Sequence, residues 1–373
     1  MNKPRIKLER PLRVKPNSLE HIWVPTEFST VDQAHNHESN LCGCENSRVS
    51  EKVLALAGTT LFQPDIYLNH WTAQDPKLRE MLAELHGVST EQILLTSGAL
   101  SAIWYCHEVF VNSSVRVGLL RPDFPGFVHF AKRHRANLAW LEKLDFPFTF
   151  AIQEIIEFVK NAEVDFFIFS NPSAVTGTIH SNEEIEDLVS ASDALIVNDE
   201  ADIMASDSTG YLTNIYPNLI VLRSFSKFYG LAGMRVGYII CPREMAGHFQ
   251  NMINPLEITP IGIMAAKAVL EDEEYARTTK NAVNENKAKL ERFLKNTSYQ
   301  LAPGSACFAA YLWGDPSVED PYKLLLKKEI TILKGANFGL SRGGRINLTS
   351  SAKIDRLIAA IPQSNNPSLT LAS

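Results

Sequence analysis

The chain has no apolar run of membrane-spanning length and no long basic run. The first absence argues against a spanning helix. The second, together with a formal net charge of -6, argues against nucleic acid as a partner. Cysteine is scarce: five residues, Cys42, Cys44, Cys106, Cys241 and Cys307, lie scattered through 373. An odd, dispersed set reads as reduced thiols in the cytoplasm rather than as a disulfide framework. Met1 to Lys15 is basic and contains proline, but it lacks the apolar segment of a secretory signal. There is no internal repeat and no long low-complexity segment. What remains is ordinary globular composition, 45% hydrophobic and 21% charged, in a chain long enough for two domains and a large core.

Residues 1 to 50 are polar and irregular. They hold His35, His37, Cys42 and Cys44, which are zinc-ligand types. The Cys-x-Cys spacing is not the usual finger spacing and no second ligand pair follows, so the stretch reads as a mobile arm and no metal is expected.

The informative stretch is Ser224-Phe225-Ser226-Lys227-Phe228-Tyr229-Gly230-Leu231-Ala232-Gly233-Met234-Arg235-Val236-Gly237-Tyr238. It follows Leu219-Ile220-Val221-Leu222, an apolar run that reads as a buried strand. Lys227 therefore sits just past a strand end, where α/β proteins place ligands. Its amine can form a Schiff base with an aldehyde cofactor. Ser224, Ser226 and Arg235 supply two hydroxyls and a guanidinium, a set suited to a phosphate. Earlier in the chain, Gln92-Ile93-Leu94-Leu95-Thr96 reads as a strand. It is followed by Ser97-Gly98-Ala99-Leu100-Ser101 and a helix from Ala102 to about Phe110. Unpaired N–H groups of Gly98, Ala99 and Leu100 and the positive end of a helix would then face an anion.

The lysine stretch resembles the motif S-x-S-K-x-x-x-L-A-G-x-R-x-G of the fold-type-I pyridoxal phosphate enzymes, with the histidinol-phosphate aminotransferase group the nearest likeness. The resemblance covers roughly residues 65 to 350 and assigns further expectations in chain order. Trp71 stands where the family has a tyrosine that reaches the neighbouring subunit's cofactor phosphate; it either donates its indole N–H there or packs at a dimer interface. Phe124 would lie flat on the pyridine ring. Ser170-Asn171-Pro172-Ser173-Ala174-Val175-Thr176-Gly177-Thr178 resembles N-P-x-N-P-T-G. Here Ala174 replaces the asparagine that donates to the cofactor's phenolic oxygen, and Ser173 could partly take its place. Asp199, in Asn198-Asp199-Glu200-Ala201-Asp202, would face the pyridine nitrogen and hold it protonated. Asp202 replaces a tyrosine, the other donor to the phenolic oxygen. It either raises the proton affinity of the imine or turns away to bind a cationic group on the substrate, and the second reading is preferred. Arg345, in Gly343-Gly344-Arg345-Ile346-Asn347, would clamp the substrate α-carboxylate.

Strands and helices alternate from about 90 to 240, which implies a mostly parallel, helix-covered sheet. The expected architecture is the α/β fold of type-I pyridoxal phosphate transferases. It comprises an arm (1–50), a large cofactor-binding domain (51–249), a smaller α/β domain (250–363) and a tail (364–373). The resemblance implies a cytoplasmic homodimeric aminotransferase acting on small amino acids and keto acids, with no membrane or nucleic-acid partner. A decarboxylase or lyase on the same scaffold, similar to threonine-phosphate decarboxylase, is the alternative. A third possibility is a cofactor-binding regulator or lapsed relative, against which the joint retention of Lys227, Asp199, Arg235 and Arg345 argues.

Overall fold

The structure, a computed structural model, describes Leu41 and residues 48–60, 63–64, 66, 74–203, 208–304 and 308–363. His35, His37, Cys42, Cys44 and Trp71, most of the arm and the tail lie outside the described residues.

Among the described residues, seven strands build the larger sheet: β1 (Ile93–Thr96), β2 (Arg116–Arg121), β3 (Asn137–Glu142), β4 (Phe166–Ser170), β5 (Leu195–Asp199), β6 (Leu219–Ser224) and β7 (Gly237–Ile240). Their spatial order is β1-β7-β6-β5-β4-β2-β3. The pairs from β3 to β6 are parallel, while β7 runs antiparallel between β6 and β1. The strands are apolar at successive positions because helices cover both faces. Phe167 and Phe169 enter one core cluster, Phe166 and Ile168 the other, as the two-residue period of a strand requires. β3 is absent from the expectations above. Its sequence, Asn-Leu-Ala-Trp-Leu-Glu, is largely half-exposed at the sheet edge, so it lacks the continuous apolar signal of its neighbours.

The register decides where chemistry can occur. Asp199 lies opposite Ser170 on one side and Leu222 on the other. Gly237, the first residue of β7, lies opposite both Ser224 and Thr96. The carboxyl ends of β1, β4, β5 and β6 thus open on one edge of the sheet, and the loop into β7 enters from that same edge.

A second sheet holds β8 (Tyr299–Leu301), β9 (Ala309–Gly314), β10 (Leu333–Lys334) and β11 (Gly344–Asn347), in the antiparallel order β10-β11-β9-β8. The helices Glu273–Leu294 and Ser351–Ala360 pack against one another beside it. The helix Pro260–Leu270 packs instead on the helices Glu51–Thr60 and Pro76–His86. Leu41, fully buried, donates its N–H to the Thr331 carbonyl and accepts from the Asn347 N–H, so it bridges the segment entering β10 and the end of neighbouring β11.

The helix Pro76–His86 follows its sequence signals closely. Asp75 accepts from the Leu78 N–H at 2.7 Å, Pro76 opens the helix, and Gly87 closes it with φ 63°. It also protects the sheet edge. The Gln74 amide donates to the Leu95 carbonyl at 2.7 Å and accepts from the Leu95 N–H at 3.0 Å, which mimics a missing strand. Arg79 donates to the carbonyl of Ile93 at 2.9 Å. Unpaired backbone groups at a buried edge cost free energy. Gln74→Ala leaves both Leu95 groups without this partner and should lower unfolding free energy by about 1–3 kcal/mol in a denaturant titration; a loss within error of zero would show that solvent replaces the amide.

Candidate active site

Lys227 projects from the turn after β6. That turn is held by main-chain bonds from Phe225 N to Val236 O at 3.0 Å, Gly230 N to Lys227 O at 3.1 Å and Leu231 N to Phe225 O at 3.0 Å. The Ser226 N–H donates to Ser224 Oγ at 3.1 Å. Buried Phe225, Phe228 and Tyr229 pack around it. The lysine side chain leaves this hydrogen-bonded turn only partly exposed, at 19%.

The helix start expected from sequence to seat a phosphate lies beside this turn. The helix expected from Ala102 begins already at Gly98, which brings Gly98, Ala99 and Leu100 into its first turn, where N–H groups lack intrahelical acceptors. The Ser97 N–H is taken by Glu257 Oε1 at 3.0 Å, and Tyr105 holds the other oxygen at 2.8 Å. Arg235 adopts the left-handed conformation, with φ 52°. Its guanidinium donates to Ser226 Oγ at 3.3 Å, to Ala232 O at 3.1 Å and to Ser97 O at 3.4 Å. One cation therefore clasps the lysine turn and the helix start together. Two glycines permit this. Gly98 has φ 78°, and a Cβ there would stand 2.4 Å from Arg235 Nη2; a Cβ on Gly237 would stand 2.6 Å from the Gly98 carbonyl carbon.

Three carboxylates are buried at the opposite side of the lysine. Asp202, 3% exposed, forms an ion pair with Lys227 Nζ. Asp199, at the end of β5, accepts from the Ala201 N–H at 3.0 Å. Its successor Glu200 turns the other way to a buried ion pair with Arg223 at 3.2 Å. Burial pushes Asp199 up to about 7, against the attraction of Lys227 and with added repulsion from Asp202 and Asp123. Asp123 is pushed up to about 6 by burial, despite bonds from Ser170 and Phe124. Its carboxylate accepts from the Phe124 N–H at 2.7 Å, from the Ser170 N–H at 3.1 Å and from the Ser170 hydroxyl. It thereby fixes the turn that carries Phe124 against the end of β4. Phe124 caps the helix Pro125–Arg133 and meets Phe127 edge-on at 5.4 Å.

The turn after β4 is where the second sheet reaches the first. Arg345, in β11 and mostly buried, donates to the Ala174 carbonyl at 3.1 Å, with the Phe338 ring 5.6 Å from its guanidinium. The Ala174 N–H donates to Ser170 Oγ at 2.8 Å. Ser173 is engaged within its own turn, its Oγ accepting from the Val175 and Thr176 N–H groups, each at 3.3 Å.

Of the residues expected at a site, the structure pairs Lys227 with Asp202 and brings Asp199 within electrostatic reach of both. It joins Gly98, Ser224, Ser226 and Arg235 as a second group, and it reaches Arg345 through Ala174. Asp202 pairs with the lysine, where the preferred expectation had it turned away toward a cationic group on the substrate. Reasoning from sequence passed over Asp123, Glu257 and the Ala174 carbonyl. The Ala174 contact is made by backbone and leaves no mark in residue type.

The pattern described as aminotransferase class I and II matches residues 66–361. The chain belongs to this family. Among curated relatives, the histidinol-phosphate aminotransferase of Sinorhizobium fredii is 28% identical over 76% of this chain and 77% of its own length. Histidinol-phosphate aminotransferase 1 of Bacillus cereus is 26% identical over 87% and 86%. The crystal structure of histidinol-phosphate aminotransferase from Sinorhizobium meliloti in complex with pyridoxal-5'-phosphate superposes with a TM-score of 0.79 at 19% identity, covering 95% of this chain and 98% of that one. The protein is a pyridoxal phosphate-dependent aminotransferase of fold type I. The residues fit that cofactor. A Cβ-free cradle beneath a guanidinium suits its phosphate, a strand-end lysine suits its aldehyde, and a buried acid suits its ring nitrogen.

Without the cofactor, Asp199 is an internal charge with incomplete compensation. Its value rises from 3.8 to about 7 in the folded state, so the folded protein holds this proton more tightly than the unfolded chain. Stability from this group is complete below about pH 4 and is lost as pH rises through about 7. Asp199→Asn removes the penalty. Its melting temperature in cofactor-free protein should exceed wild type by a margin that grows between about pH 5 and pH 8, while cofactor affinity falls. A margin independent of pH in thermal scans would contradict this.

Proposed function

We propose that this aminotransferase moves an amino group between an α-amino acid, or a related amine, and a keto acid, with Lys227 as its acid–base group and Arg345 as the clamp on the substrate carboxylate. The observation that carries the reading is the convergence of Lys227, Asp199 and Arg235 at the carboxyl edge of one sheet, with Arg345 delivered from the other. Gly98, Ala99, Leu100, Ser224, Ser226 and Arg235 would hold the cofactor phosphate, Asp199 its ring nitrogen, Phe124 its ring face, and Trp71, outside the described residues, would reach a partner's phosphate.

When bound, the cofactor supplies an electron sink that makes the Cα proton of an attached amine acidic. The chain's own residues do the rest. Arg345 fixes the carboxylate with a planar fork, which orients the Cα–H bond. Lys227 Nζ takes the Cα proton and returns it as general acid. The buried ring of Phe225, Phe228 and Tyr229 keeps water from the lysine turn. A homodimer in the cytoplasm is the setting we infer. Support comes from an apolar hollow beside the lysine turn, lined by Val53, Leu54, Met234, Ile261 and Met264, and from Cys106 and Cys241, which are free thiols.

Single-turnover mixing with a panel of amino acids tests the reading: one keto acid should form per site, and the reaction should reverse with a keto acid. Release of carbon dioxide instead would assign the chain to the decarboxylases. Arg345→Ala should raise the KM for amino acid about 10–100-fold, the worth of a hydrogen bond to a charged group, with cofactor content unchanged. An unaltered KM would remove Arg345 from the substrate site.

A further inference from the structure

We propose that Asp202 is the fixed counter-ion of the Lys227 nitrogen, and that it keeps this nitrogen protonated well into the alkaline range once Lys227 is joined to the cofactor. The inference rests on the functional reading above and concerns the charge state of its central bond.

Three observations carry it. First, Asp202 is paired with Lys227 Nζ already in the chain alone. Second, Asp202 is 3% exposed, and its other oxygen, Oδ1, is buried with no hydrogen-bond partner among the described residues. A buried carboxylate with so few donors depends on its cation, because buried polar groups that go unmatched are costly. Third, the charges around the lysine do not balance without a proton there. From β5 and the turn after it come Asp199 and Asp202; from the end of β2 comes Asp123; Arg235 faces the phosphate seat and Arg345 faces the Ala174 carbonyl. Asp123 is served by Ser170 and the Phe124 N–H. Asp199 serves the ring nitrogen in the functional reading. That leaves Lys227 as the cation for Asp202.

Joining the lysine amine to the cofactor aldehyde releases one water and leaves a nitrogen that carries a single titratable proton. Loss of that proton would strand Asp202 as an unpaired buried anion. Opposite charges about 4 Å apart at an effective dielectric near 20 favour the protonated form by about two to three pH units.

The test is a pH titration of the visible absorption of purified holoenzyme, with bound cofactor quantified by release in alkali. Wild type should keep its long-wavelength band across the neutral range. Asp202→Asn and Asp202→Ser, two neutral variants so that one misfolded protein does not end the test, should titrate about two pH units or more below wild type. Asp202→Glu should restore a midpoint near wild type. Equal midpoints in loaded wild-type and neutral variants would overturn this proposal while leaving the functional reading intact. A wild-type protein that takes up cofactor without any such band would overturn the reading itself and this proposal with it.

Discussion

Three carboxylates, Asp123, Asp199 and Asp202, are buried together at the carboxyl ends of β2 and β5, and Lys227 is the cation that faces Asp202 and attracts Asp199. Burial pushes the first two toward neutrality. Such a cluster works against folding unless something cationic enters it. The lysine answers part of that demand; in the proposed function a protonated ring nitrogen beside Asp199 would answer another part. Stability is given up locally for a pocket that attracts positive charge to two defined places.

The sheet makes this possible by geometry. β1, β4, β5 and β6 all end on one edge, and antiparallel β7 lets the Arg235 loop return across that edge. A Cβ on Gly237 would run into the Gly98 backbone there, and one on Gly98 would run into the Arg235 guanidinium. Arg235 occupies the space so released and links two segments far apart in sequence. The small sheet reaches the turn after β4 through β11, whose Arg345 donates to the Ala174 carbonyl.

Much of this is legible in the amino-acid sequence. Lys227 and Asp199 follow continuous apolar runs, and parallel strands buried on both faces have few other ways to appear in a sequence. Arg235 and the Gly98 turn were legible as chemistry, because hydroxyls, glycine and guanidinium at strand ends suit a phosphate. The helix start at Gly98 was misplaced because small residues carry no periodic signal. β3 was missed because an edge strand mixes exposed and half-buried positions. Asp123 and Glu257 were missed because their partners, Ser170 and Ser97, are 47 and 160 residues away, and such contacts are set by tertiary packing. Asp202 was visible as a departure, but its pairing with Lys227 depended on the turn after β5.

The central claim is that an aldehyde cofactor is tethered through Lys227 and no other side chain. Borohydride reduction of the purified holoenzyme, followed by proteolysis and mass mapping of the modified lysine, tests it directly. The account predicts a single stable adduct on Lys227, absent from Lys227→Ala. An adduct on a different lysine, or none in protein that retains its cofactor, would contradict it.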